Sequence, residues 1–285
     1  MDGETADVLD TWYAWKHRHL VKKTGRDVVW GEVIPDADAI AAAFADRGVE
    51  VVPYVVDPER VAAYREAAGY RRFARYYDRE PPPEKVLEHF IARDLLGLAP
   101  GQAYVDVAAG DSPVAGIYRE LDRVEAMRVD RRFRPGRHGD RWGADVRALP
   151  WADRSIDKMA LHCSFEHFEG DADIGFVREA DRLLAPGGRC CILPLYMNRR
   201  FAIQSDPAHI PWSGIAWDEG AEVRLVRRGG QRHSRFYDVD ALLGRLWPQL
   251  RRTRMRIFRV VDTECFAPGC YIRFAALIEC PEQAA

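Results

Sequence analysis

The chain has 285 residues, a formal net charge of -2 and 47% hydrophobic residues, enough for one large α/β domain plus an accessory region. The near-neutral charge excludes an overall basic field that would recruit nucleic acid, and no apolar run approaches the roughly 20 residues of a membrane span. The six cysteines are scattered without a CxxC pair, so neither a zinc site nor a disulfide framework is suggested; with an acidic start (MDGETADVLD) that lacks a signal pattern, the chain reads as reduced and cytoplasmic.

Residues 1–92 read as a mainly helical lid or accessory region. Val8 to Lys23 carries Trp12, Trp15 and Leu20 at roughly helical spacing. Ala37 to Ala45 is a short Ala-rich helix, and Val49 to Val56 a brief β-like run. Pro58 to Tyr77 reads as one helix bearing Tyr64, Tyr70, Phe73, Tyr76 and Tyr77, stopped by Pro81-Pro82-Pro83. Glu84 to Leu96 follows as an amphipathic helix with Val86, Leu87, Phe90, Ile91 and Leu95 on one side. The aromatic residues serve either packing or a lid; in the lid reading Tyr70, Tyr76 and Tyr77, nearest in sequence to the core, would shape a substrate pocket.

From Ala103 strands and helices alternate. Tyr104 to Ala115 reads YVDVAAGDSPVA: a β-branched run, a small-residue turn, then a helix opened by Pro113. Such a unit lets a nucleotide-like ligand lie against backbone. Asp106 stands near the strand end, where its carboxylate reaches a ligand's polar edge. This stretch resembles the first motif of class I S-adenosylmethionine-dependent methyltransferases of the small-molecule type, an acid followed by a glycine-rich turn. Gly110 keeps the middle glycine, while Ala108 and Ser112 replace the others; each added Cβ narrows the backbone approach.

The resemblance covers residues 93 to 285 apart from an insertion. It implies a doubly wound, Rossmann-like α/β fold with a seven-stranded sheet whose last strand is antiparallel. It also implies S-adenosyl-L-methionine as cofactor. The next strand, Glu125 to Val129, closes on Asp130. In the family this acid holds the ribose, whose two hydroxyls an ionised carboxylate accepts; otherwise Asp130 caps the following loop. The segment from Gly143 to Asp157 (GADVRALPWADRSID) matches the family's adenine-contacting region, which implies Asp145 at the adenine amino group and Val146 against the ring. Lys158 to Cys163 is a strand, Asp173 to Leu184 a helix, and Arg182 to Gly188 matches a family turn in which glycine supplies positive φ and the helix C-cap.

Cys190 to Tyr196 is the next strand. Residues 197–237 break the alternation and read as an insertion at the ligand-binding edge, holding His209, Trp212, Trp217 and His233 with a dense Arg group; the alternative is a surface excursion. Val239 to Leu250 is helical, and Met255 to Val261 with Tyr271 to Cys280 form a terminal hairpin.

A sulfonium methyl is already activated, so the protein must position an acceptor and deprotonate it if it is a hydroxyl. Histidine suits that task. His167 and His162 flank the loop after the fourth strand, with His162 also beside the cofactor; His209 and His233 are further candidates, and His167 has packing or capping as its alternative. Arg232 and Arg235 offer forked hydrogen bonds to an acidic substrate, or simply a solvated face, and Trp212 lies in the same insertion. The expected function is methyl transfer to a small-molecule acceptor, most naturally an oxygen of a natural product or sugar, without a metal. A methyltransferase fold repurposed for binding or regulation is the alternative. A homodimer is compatible with either reading; nucleic acid and membrane partners are not expected.

Overall fold

The computed structural model describes residues 3–25, 28–77, 80–208, 214–227, 230–266 and 269–282. In chain order the first part holds α1 (Gly3–Thr24), β1 (Val28–Trp30), α2 (Ala37–Asp46), β2 (Val51–Val55), α3 (Pro58–Ala68), α4 (Ala74–Tyr77) and α5 (Pro83–Leu96). The alternating part holds β3 (Ala103–Val107), α6 (Val114–Asp122), β4 (Glu125–Val129), β5 (Gly136–His138), β6 (Arg141–Gly143), β7 (Ile156–His162), α7 (Ala172–Leu183) and β8 (Leu184–Leu193). The rest comprises β9 (Ala202–Ser205), β10 (Glu222–Leu225), β11 (Ser234–Phe236), α8 (Val239–Leu246), β12 (Arg254–Val261) and β13 (Phe274–Glu279).

Among the described residues, nine strands form the main sheet in the order β2-β12-β13-β8-β7-β3-β4-β6-β5. β13 runs antiparallel to both β12 and β8, while β8, β7, β3, β4 and β6 are parallel. The expected mostly parallel, doubly wound sheet with an antiparallel last strand is therefore present, widened by an edge strand at each side. Central strands carry apolar residues on both faces because helices cover both. Phe44 of α2, Phe176 of α7 and Leu242 of α8 join one core with Val105 and Val107. Tyr64 of α3, Leu87 and Ile91 of α5, and Tyr118 of α6 join the other with Tyr104 and Ala160.

Several expectations change. Residues 1–92 also reach into the main sheet: β2 pairs in parallel with β12, Val51 opposite Ile257. The helix expected over Pro58 to Tyr77 breaks at Gly69, whose left-handed backbone (φ 59°, ψ 43°) ends α3 before a 3-10 turn at Tyr70–Phe73. Asp57 caps the start of α3 by accepting from the N–H groups of Glu59 and Arg60. The turn after α7 does not use a glycine cap. Leu184, in extended backbone, caps the helix, and Gly187 (φ 77°) falls within β8. The insertion is ordered as β9, β10 and β11, which with β1 build a second, four-stranded sheet in the order β1-β10-β9-β11. Leu20 of α1 covers Val223 and Leu225 of that sheet. No helix of the described residues is long and apolar enough to cross a membrane.

Candidate cofactor and acceptor pocket

A cavity of about 470 Å³ opens at the carboxyl ends of β3 and β7, the edge where open α/β sheets take ligands. Side-chain parity decides what faces it. Val105 and Val107 point to the α7 face, so Tyr104 and Asp106 point to the α5 face. Likewise Met159 and Leu161 serve the first core, and Ala160 and His162 turn toward α5. The turn after β3 forms one wall. Ala108 (φ 53°) and Gly110 (φ 51°) both hold left-handed backbone, as does Cys163 (φ 51°) after β7. Two non-glycine residues in that region at one pocket are outliers of the kind that gather at ligand sites.

Asp130 closes the corner. Its Oδ2 accepts the Gly110 N–H at 2.9 Å and its Oδ1 the Arg132 N–H at 2.8 Å. The acid after β4 thus fixes the turn after β3. Arg132 lies over that turn; a Cβ on Gly110 would meet its Nη2 at 2.4 Å. Asp106 is 1% exposed, and its Oδ2 has no partner. Burial pushes its carboxyl well above the usual range, with Arg128 opposing and Glu88 adding to the effect.

The pocket gathers Tyr77, Asp106, Ala108, Gly110, His162 and His167. It also gathers residues that sequence reasoning passed over: Lys85, Glu88 and His89 of α5, together with Cys163, Ser164 and Gln231. Glu88 and His89 are both buried within an apolar helix; two polar residues between Leu87 and Phe90 were the only local signal. The two catalytic candidates differ sharply. The His162 side chain is 5% exposed, and burial, then the Lys85 ammonium, hold its pKa down to about 3. Both effects work against its taking up a proton. His167 is 36% exposed, its Nδ1 lies 2.6 Å from the His233 carbonyl, and its Nε2 lies 3.5 Å from Glu166 Oε1.

Other expected site residues go elsewhere. Tyr70 is buried, bonded to His89 Nδ1 at 2.8 Å and to the Tyr64 hydroxyl at 3.2 Å, so it braces α5 rather than meeting a substrate. Arg235 is fully buried and bonded to Asp218, the Phe168 carbonyl and the Gly170 carbonyl, which commits its guanidinium to the fold. Arg232 donates to Glu169 at 2.7 Å. Asp145 is half-exposed and holds Arg147 through both carboxylate oxygens, and Val146 beside it is buried. His209 and Trp212 lie outside the described residues. His233 is buried, with burial and then Arg235 lowering its pKa to about 4.

Residues 103–192, from β3 to the end of β8, match the family model described as a methyltransferase domain. Among solved structures, 1,6-didemethyltoxoflavin-N1-methyltransferase of Burkholderia thailandensis, with bound 1,6-didemethyltoxoflavin and S-adenosylhomocysteine, aligns at a TM-score of 0.47. Identity is 14%, over 82% of this chain and 94% of that one. The [4+2]-cyclase SpnF aligns at 0.43 with 12% identity, over 82% and 99%. The YcgJ protein of Bacillus aligns at 0.42 with 11% identity, over 70% and 99%. A search of curated proteins returns no match. The match to a methyltransferase domain thus spans residues 103–192, the part of the chain that builds β3, β4, β7 and β8 and the turn after β3.

Proposed function

We propose that the protein transfers a methyl group to a hydroxyl oxygen of a small molecule, a natural product or sugar, held in the pocket at the carboxyl ends of β3 and β7. When bound, S-adenosylmethionine supplies a methyl carbon already activated by its sulfonium. The pocket's residues fit that cofactor. The unpartnered, buried Asp106 Oδ2 suits an ammonium donor. The turn at Ala108 and Gly110 holds left-handed backbone, and the Arg132 side chain over Gly110 would swing aside for the cofactor. Each Asp130 oxygen accepts one backbone N–H and keeps a lone pair for a ribose hydroxyl. Asp145 and Val146 would lie at the adenine end, with Asp145 sharing its carboxylate between the adenine amino group and Arg147.

One observation carries the choice of oxygen. The contact of His167 Nδ1 with the His233 carbonyl fixes the tautomer, because only an N–H can donate to a carbonyl. Nε2 is then left with a lone pair, and His167 lines the pocket. A hydroxyl placed there passes its proton to Nε2, and the Glu166 carboxylate 3.5 Å away stabilises the imidazolium that forms. Tyr77 would bound the acceptor on the α4 side.

Calorimetric titration with S-adenosylmethionine and S-adenosylhomocysteine tests the cofactor half. Asp130→Ala should weaken both by more than about tenfold, through two lost charge-assisted hydrogen bonds. An acceptor screen read by mass tests the other half. His167→Asn should lower kcat by about 10²–10⁴ with cofactor affinity unchanged. A product methylated on nitrogen, or full turnover in His167→Asn, refutes the assignment.

A further inference from the structure

Glu88, His89 and His162 each bring one ligand atom within 4.8 Å of the others. Glu88 Oε1 stands 3.7 Å from His162 Nδ1, and neither atom has a hydrogen-bond partner although Glu88 is fully buried and the His162 side chain nearly so. Orphaned buried polar atoms are costly. Here they point at one another across a gap too long for a hydrogen bond.

The second atom of each side chain is held from behind. Glu88 Oε2 accepts from Lys85 Nζ at 2.8 Å and from the Tyr271 hydroxyl at 2.9 Å. His89 Nδ1 meets the Tyr70 hydroxyl at 2.8 Å, which leaves its Nε2 for the cluster. His162 Nε2 lies 3.4 Å from the Tyr104 hydroxyl. A ligand set whose inner atoms are bare and whose outer atoms are fixed is the arrangement that orients metal ligands.

We propose that Glu88, His89 and His162 bind one divalent transition-metal cation, zinc being the best match, with an open coordination position facing the pocket. Tetrahedral zinc with bonds of about 2.0–2.1 Å separates its ligand atoms by about 3.3–3.4 Å. The Glu88–His162 separation of 3.7 Å needs a contraction of a few tenths of an ångström, and the wider separations, up to 4.8 Å, close by rotation of the side chains around the ion. Two imidazoles and one carboxylate, with all three residues lining the cavity, form the three-ligand set of an open zinc site. Donor chemistry excludes magnesium and calcium, which take oxygen. The Lys85 ammonium opposes a cation but sits on the outer oxygen of Glu88. Sequence gave no hint of this cluster, because His162 is far along the chain from the Glu88-His89 pair.

The test uses the full chain, stripped with a chelator and titrated with Zn²⁺ by calorimetry and with Co²⁺ by visible absorption. One equivalent should bind, and Zn²⁺ should raise the melting temperature. Glu88→Gln and His162→Gln should each weaken binding more than about tenfold and abolish the thermal shift. The Co²⁺ spectrum should show ligand-field bands without a sulfur-to-cobalt charge-transfer band, a readout that needs no variant to fold. Absence of stoichiometric binding overturns the proposal. So does binding that survives both substitutions, which would place the metal on surface side chains, or a charge-transfer band, which would place it on cysteine.

Discussion

Replacing Arg235 by Met separates a residue that holds the fold from one that holds a substrate. The guanidinium is fully buried. Its Nε donates to Asp218 Oδ2 at 2.6 Å, Nη1 to the Phe168 carbonyl at 2.6 Å, and Nη2 to the Gly170 carbonyl at 2.9 Å. Nη1 also lies 3.2 Å from Asp173 Oδ2. Methionine fills much of the volume and supplies no donor. Breaking a buried ion pair from one side costs about 3–5 kcal/mol, because the partner stays buried. Asp173 keeps Arg245 at 2.9 Å and the Tyr237 hydroxyl at 2.6 Å, so the lower end, about 3 kcal/mol, is expected. With a urea slope of about 3 kcal/mol/M, the unfolding midpoint should fall by about 1 M. Arg232→Ala serves as the contrast. Its pair with Glu169 is partly exposed and should cost no more than about 1 kcal/mol. An Arg235→Met midpoint that does not move, together with lost acceptor binding, would refute this reasoning and return Arg235 to the pocket.

Three further outcomes follow from the same structure. Ala108→Gly should stabilise the protein by up to about 1 kcal/mol, since Ala108 holds φ 53° at a cost of about 1–2 kcal/mol that glycine offsets against its greater chain entropy; a lower melting temperature would contradict this. Phe44→Ala should cost about 3–5 kcal/mol in a single unfolding transition, because Phe44 is fully buried beside Phe274 of the main sheet; a separate early transition would mean the N-terminal region folds alone. The third concerns acid. Folded His233 titrates near 4, with burial the main cause and Arg235 the next, whereas the unfolded side chain titrates near 6.5. As pH falls below about 6.5 the unfolded state takes up the proton first, so stability declines toward pH 4 and the loss then levels off, by at most roughly 3 kcal/mol. Urea unfolding at several pH values should show a shallower decline in His233→Asn than in the wild type.

The parallel core was legible because buried central strands are continuous apolar runs and their helices carry local stop signals. Asp57 and Asp238 cap helices through their own side chains, and both stand directly before the helical pattern. What stayed hidden lacks a local signature. β6 has three residues, partly exposed, yet occupies the sheet position beside β4. β1 finds its partner β10 only across the length of the chain, Val28 opposite Val223. Arginines of similar sequence surroundings go to different partners in three dimensions. Arg224 pairs with Glu222, Arg259 with Asp38, and Arg256 with Glu279.

The site divides by the same logic. Asp106, Gly110 and Asp130 lie at strand ends and in a short turn, so a local pattern sufficed to bring them together. Glu88 and His89 lie in the middle of a helix whose apolar stripe, Leu87, Phe90 and Ile91, conceals them. Residues 86 to 92 are all buried, so α5 is covered on more than one side: by the sheet, and by Tyr64 and Tyr70, which pack with Phe90 and His89. A helix so enclosed has no solvated face on which to place a carboxylate and an imidazole. Strand parity turns Asp106 and His162 toward the same side of the sheet, whereas Phe165, Phe168 and Phe176 pack in the apolar core of the other face. Two independent periodicities, 2 along the strands and 3.6 along the helix, therefore converge on one polar chamber. Polar groups at enclosed helical positions cost stability unless something satisfies them, and Glu88 Oε1, Asp106 Oδ2 and His162 Nδ1 lack a protein partner. All three side chains line the same cavity on the α5 side of the sheet.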